Sequence, residues 1–168
     1  MAADDRPTFL AVRLREIAED IRELERLAKK AKLPALFGPN SFPEADRLRD
    51  APVAKDAQTL GATLNILNRC FVESIDRYGE SISERKYFFK IKATYPYLFD
   101  ALHRIRVYRN NEHHLELLPD VEATLREYLQ RDLDDALAAS DQKYWALLQR
   151  CLDELIRAIQ LEIVRLSP

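Results

Sequence analysis

Leu98-Phe99-Asp100-Ala101-Leu102-His103-Arg104-Ile105-Arg106-Val107-Tyr108-Arg109-Asn110-Asn111-Glu112-His113-His114 carries the reading of this chain. Leu98, Leu102 and Ile105 recur at intervals of four and three, the spacing that lines side chains along one face of an α-helix. Four residues further, the same line lands on Arg109. A guanidinium there is unusual, because burying it unpaired is costly, so it meets either a cleft or a partner acid. The three histidines, His103, His113 and His114, all fall in this stretch. Histidine titrates near neutral pH and arginine grips phosphate, so the segment gathers groups able to hold a phosphate and move a proton. If the helix continued, His113 would share the face of Arg109 and His114 would lie about 140° round. Asn110 and Asn111 are poor helix formers and make an ending or bend there plausible.

Working outward, the same periodicity recurs along most of the chain. Pro7 followed by Leu10, Leu14, Ile17, Ile21, Leu24 and Ala28 predicts a helix over about 7–32, since proline is tolerated in a first turn. Pro34, Gly38-Pro39 and Pro43 predict a loop over 33–53 with at most one helical turn near 44–48. A second helix is expected over about 54–78, with Leu60, Leu64, Leu67, Phe71 and Ile75 inward and Gly79 as a left-handed stop. Ser81 or Ser83 caps a third helix through 85–89, which Pro96 kinks or breaks before it resumes to Arg109. Pro119-Asp120 opens a helix over about 119–137, with Val121, Leu125, Leu129 and Leu133 inward. Ser140 or Asp141 caps a last one, over about 140–166, with a stripe from Trp145 to Leu166. Nothing alternates with the period of a strand. The expectation is an all-α, up-and-down bundle of about five main helices, forming one domain over 1–168.

Only three glycines and a wealth of Leu, Ala, Glu and Arg agree with helix. No apolar run approaches the ~20 residues of a membrane span, and the N-terminus lacks a basic start and apolar core, so a cytoplasmic protein is expected. Cys70 and Cys151 fall inside apolar helical patterns and read as buried free thiols. The net charge of −2 is unevenly spread: residues 84–114 hold seven bases against three acids, and 115–168 hold eleven acids against six bases. A basic segment carrying the histidines fits a polyanionic ligand. Metal binding by Glu112, His113 and His114 is disfavoured, because adjacent side chains on a helix diverge and no further cluster completes a shell. No cofactor signature is present.

Arg109-Asn110-Asn111-Glu112-His113-His114 resembles the Arg-polar-(x)-His motif of the HEPN superfamily. The likeness extends to its setting, after two long amphipathic helices, at the end of a third, and before a Pro-Asp-started helix. It covers about 7–137 and leaves 140–166 as an additional helix or extra bundle member. The resemblance implies a metal-independent endoribonuclease, in a toxin, phage-defence or RNA-processing system, working as a homodimer whose two motifs line one cleft. It implies His114 as general base or acid at a ribose 2′-hydroxyl and 5′-oxygen, with His113 the other candidate. It implies Arg109 on the scissile phosphate and Asn110 orienting the pair. Arg104, Arg106, Lys90 and Lys92 would grip the RNA backbone, and Tyr95, Tyr97 or Tyr108 would stack a base if not taken up by packing. Glu116 stands where nucleotidyltransferase-paired toxins carry a modified tyrosine, so that regulation is not carried over. Two other readings compete. In one, Arg109 pairs with Glu112 or an acid elsewhere, and the histidines are surface residues at a helix end. In the other, the bundle is a non-catalytic dimerisation or ligand-sensing module that docks an antitoxin or other partner protein, with Trp145, Ile156 and Ile163 on the docking helix.

Overall fold

The structure, a computed structural model, describes residues 5–39, 42–113 and 119–168, with the side chains of 111–113 outside the described set. Every regular element among them is helical. Helix α1 (Arg6–Lys30) buries Leu10, Leu14, Ile17, Ile21, Leu24 and Ala28, the stripe read from the sequence. It ends in a Schellman arrangement: Lys32 takes the left-handed conformation, its N–H reaches Lys29 O, and Leu33 N–H reaches Ala28 O at 2.9 Å. After a 3₁₀ turn at Ala45–Asp50, α2 (Ala57–Asn68) opens on a capping box between Asp56 and Thr59. A π turn at Arg69–Glu73 joins it to α3 (Ser74–Ser81). The short α4 (Tyr87–Lys90) and a 3₁₀ turn at Ile91–Ala93 lead into α5 (Pro96–His113). Then follow α6 (Pro119–Asp132), the one-turn α7 (Asp135–Ala138) and α8 (Lys143–Leu166). Eight α-helical segments thus stand among the described residues, where about five main helices were expected. The π turn divides one expected helix, and α4 and α7 are single turns between longer elements.

Helix α8 is central. It packs between α1 and α5 and touches α2, while α5 in turn packs on α2 and α6. Of the two readings of this helix from sequence, an addition or an extra bundle member, the packing fits the second, since α8 is an integral layer of the core. Trp145 and Ile156, expected to face a partner, are 6% and 5% exposed, and the Trp145 ring meets Phe9 edge-on. Burial of an aliphatic side chain is worth about 1.5–3 kcal/mol. The inward line of Leu148, Leu152, Leu155 and Ile159 on α8 therefore supplies a large share of the cohesion.

Several boundaries differ from the sequence reading for local reasons. Gly79 does not stop a helix in the left-handed conformation. It lies within α3, where a Cβ would come 2.1 Å from Tyr87 Cβ, so its service is the close approach of the next segment. Between α3 and α4 the left-handed residues are Ser83 and Lys86. Ser81 Oγ donates back to Tyr78 O, and α4 receives its acceptor from across the fold, Asp76 Oδ1 taking the Phe88 N–H at 2.8 Å. Pro96 breaks the helix and starts α5. The fully buried Glu162 of α8 accepts the Tyr97 N–H at 2.8 Å and is held by Arg165. The helix expected to run to 137 stops at Asp132, and Asp134 caps the next turn through the Leu137 N–H at 2.7 Å. Cys70 and Cys151 are buried free thiols, each pushed up to about 12, first of all by desolvation. No helix among the described residues is long and apolar enough to cross a membrane.

Candidate functional site at the end of helix α5

Helix α5 presents its residues at 100° intervals, so Arg104, Arg106 and Arg109 point to different surroundings. Arg104 turns inward. Its guanidinium is salt-bridged to Asp132 of α6 at 3.2 Å, both side chains are almost wholly buried, and the Tyr128 ring lies beneath it at 5.4 Å. Tyr108 donates to the other oxygen of Asp132 at 2.6 Å, and burial together with that carboxylate pushes its phenol far up. Neither residue is on the surface: Arg104 is not placed to grip an RNA backbone as expected, and Tyr108 is taken up by packing, the alternative read for it. Both hold α6 against α5.

Arg106 is half-buried and lies over the rings of Phe89 at 5.0 Å and Phe88 at 5.9 Å. Lys92 lies 5.4 Å over Phe99, and Lys90 is exposed and ion-paired with Glu84. Phe89 is 44% exposed, so this side of α5 offers cations interleaved with an accessible aromatic ring. His103 stacks on Phe99 and is hydrogen-bonded through Nδ1 to Tyr128 OH at 3.2 Å. Desolvation first, then the charge of Arg106, holds its imidazole below the ordinary histidine range. Tyr95 is fully buried, and Tyr97 is 46% exposed.

Arg109 is different. Its Nε donates to Asn65 Oδ1 of α2 at 3.3 Å and its NH1 to Asn110 Oδ1 at 3.3 Å. Among the described side chains its nearest acid, Glu73, is 4.0 Å away, and the Arg109 side chain remains 28% exposed. Glu73 is the last residue of the π turn that touches α5, and it accepts the Asn68 amide N–H at 3.0 Å. Asn68 is buried, and its own carbonyl oxygen has no hydrogen-bond partner among the described residues. Among the described residues, the groups about Arg109 are thus two neutral amides in contact and one carboxylate at the limit of an ion pair. Asn65, Asn68 and Glu73 escaped sequence reasoning. The available signal was Asn68, a polar residue four positions after Leu64 on the inward line of α2.

Asn110 sits beside Arg109 as expected. His113 closes α5, with its side chain outside the described set, and His114 lies outside the described residues altogether. Among the described residues no three potential metal ligands converge. No family model, curated protein or solved structure matches the chain.

Proposed function

We propose that the chain is a metal-independent endoribonuclease of HEPN type. In this reading Arg109 binds the scissile phosphate, His114 or its neighbour His113 transfers the protons, and two copies pair to complete the cleft. One observation carries it. Among the described side chains, Arg109 alone of the three α5 arginines is held in place by neutral amides, with its carboxylate, Glu73, no nearer than 4.0 Å and no ring beneath it. A cation oriented by dipoles keeps its charge for an incoming anion and needs no reorganisation when charge builds on the phosphate. The histidines follow within five residues along the chain. Arg106 over Phe89 lies one helical turn back, with Lys92 over Phe99 about two turns further along α5, and this cation–aromatic face suits an unpaired RNA strand.

The test is cleavage of single-stranded RNA by purified protein in the presence of chelator, with the ends identified chemically. The expected products carry 2′,3′-cyclic phosphate and 5′-hydroxyl groups. Arg109→Ala and His114→Ala should each lower the rate by about 10²-fold or more with helical content unchanged. Variants that cleave as fast as the parent would defeat the proposal. A second reading, a non-catalytic module that docks a partner protein, draws on exposed apolar residues on α5 and α8. Tyr97, Leu161 and Val164 are 46%, 37% and 72% exposed. It prevails if the protein neither binds nor cuts RNA and instead forms a stable complex through that face.

A further inference from the structure

Asn68 breaks the apolar rule of α2. It stands four residues after Leu64 on the inward line of that helix and is 4% exposed. Its Oδ1 has no hydrogen-bond partner among the described residues. An orphaned buried acceptor costs stability that a leucine, with the same branched shape, would not lose. Positions that sacrifice stability in this way concentrate at working sites. The other side of the amide is engaged: Asn68 Nδ2 donates to Glu73 Oε1 at 3.0 Å.

The π turn makes that bond possible. In an unbroken α-helix residues five apart stand about 140° round the axis from each other, so 68 and 73 would face different ways. The turn at Arg69–Glu73 replaces that spacing with bonds between residues five apart, and Ser74 Oγ donates to Arg69 O at 3.0 Å beside it. Asn68 and Glu73 thereby come to one side. The same turn touches α5, where the Oε1 that Asn68 holds stands 4.0 Å from Arg109 Nη2. One carboxylate oxygen thus lies between a buried amide at hydrogen-bond distance and a cation just beyond it. Left free, it would close on the guanidinium, because the attraction of opposite charges grows as they approach.

We infer that Asn68 is a positioning residue: through the π turn it tethers Glu73 short of Arg109 and so keeps the Arg109 charge available to an incoming phosphate. The consequence for cleavage rests on the nuclease reading. The tether itself is a relation among three side chains and can be tested without RNA.

Asn68→Leu, Glu73→Gln and the double variant of the whole chain form a cycle that isolates the coupling. In Asn68→Leu, Glu73 should close on Arg109, so the Arg109 guanidinium N–H groups should exchange with water more slowly by nuclear magnetic resonance. Its kcat/KM on single-stranded RNA should fall about tenfold or more. Glu73→Gln, with no charge to restrain, should cleave at least as fast as the parent. Adding Asn68→Leu to Glu73→Gln should then change cleavage and exchange by no more than about twofold. Asn68→Ala removes the same tether without added bulk and should repeat the pattern, which guards against a leucine that unfolds the chain. A purely structural Asn68 would slow cleavage equally with Glu73 or Gln at position 73, and that result overturns the inference. Unchanged Arg109 exchange in both Asn68 variants overturns it as well. A parent that does not cut RNA would defeat the nuclease reading alone, and the exchange measurement would still decide the tether.

Discussion

Asp132→Ala should be among the most damaging single substitutions in the bundle. The carboxylate is 4% exposed, takes the Arg104 guanidinium at 3.2 Å on one oxygen and the Tyr108 hydroxyl at 2.6 Å on the other, and joins α6 to α5. Deleting it strands a cation whose side chain is only 6% exposed. Removing one partner of such a pair costs about 3–5 kcal/mol, mostly the penalty for the charge left behind. For 168 residues, with an unfolding entropy of roughly 2 cal/mol/K per residue, that loss lowers Tm by about 8–14 °C. Urea unfolding followed by circular dichroism measures it. Amide exchange should show α6 loosening first, because α5 is the principal element it packs against. Replacing the whole set, as Arg104→Met/Tyr108→Phe/Asp132→Leu, should recover most of the stability, since no orphaned polar group remains. A loss below about 1 kcal/mol for Asp132→Ala would mean that the freed guanidinium reaches water, and that the network does not clamp α6.

Gly79→Ala sets two effects against each other: helix propensity favours alanine by about 1 kcal/mol, but a Cβ 2.1 Å from Tyr87 Cβ overpacks the α3–α4 contact for a net loss of about 1–3 kcal/mol. Chemical denaturation reads the sign, and a stabilised variant would contradict the packing described. Glu162→Gln keeps the shape of a buried carboxylate but discharges the acceptor for Tyr97 N–H and Arg165; a loss of about 1.5–3 kcal/mol is expected, with faster exchange of the Tyr97 amide. The imidazole of His103 sits below its ordinary range chiefly through desolvation, so as pH falls the unfolded chain takes its proton first. Its contribution to stability is therefore complete above the unfolded-state histidine value near 6.5 and declines below it. Unfolding measured from pH 8 to 5 should show that decline, and His103→Phe should flatten it.

The fold class was legible because it depends on what a sequence states directly. The apolar lines of α1, α2, α5 and α8 at helical spacing are those that the core buries. Contributions from distant parts of the chain could not be read. Glu162 supplies the acceptor at the start of α5 from 65 residues away, and Asp76 does the same for α4. The π turn depends on local bonding, with Ser74 Oγ donating to Arg69 O at 3.0 Å, and leaves the apolar periodicity nearly intact, so it is invisible to a stripe. The central place of α8 is a matter of packing order, and a run of amphipathic helices does not specify which one lies between two others.

The candidate site shows the same division at the level of single residues. Arg104, Arg106 and Arg109 look alike in sequence, three cations in six positions. Helical geometry turns them towards an acid, a ring and a pair of amides respectively, and the same guanidinium meets three electrostatic surroundings. Arg104 is electrically spent on Asp132. Arg106 has its face covered by Phe89 but keeps its net charge. Arg109 is oriented by Asn65 and Asn110, which restrict its motion without cancelling its charge. A local charge count cannot separate these cases, because it weighs all three equally. The helical angle separates Arg109 only in part, since it puts that residue on the apolar line without saying that α2 meets it there with an amide. The consequence is measurable. Asn65→Asp would place a carboxylate where the neutral oxygen now sits, tightening Arg109 while cancelling its charge. If the nuclease reading holds, that variant should be at least as stable as the parent and cleave RNA about 10²-fold more slowly. Undiminished cleavage would show that the free charge of Arg109 is not what the reaction uses.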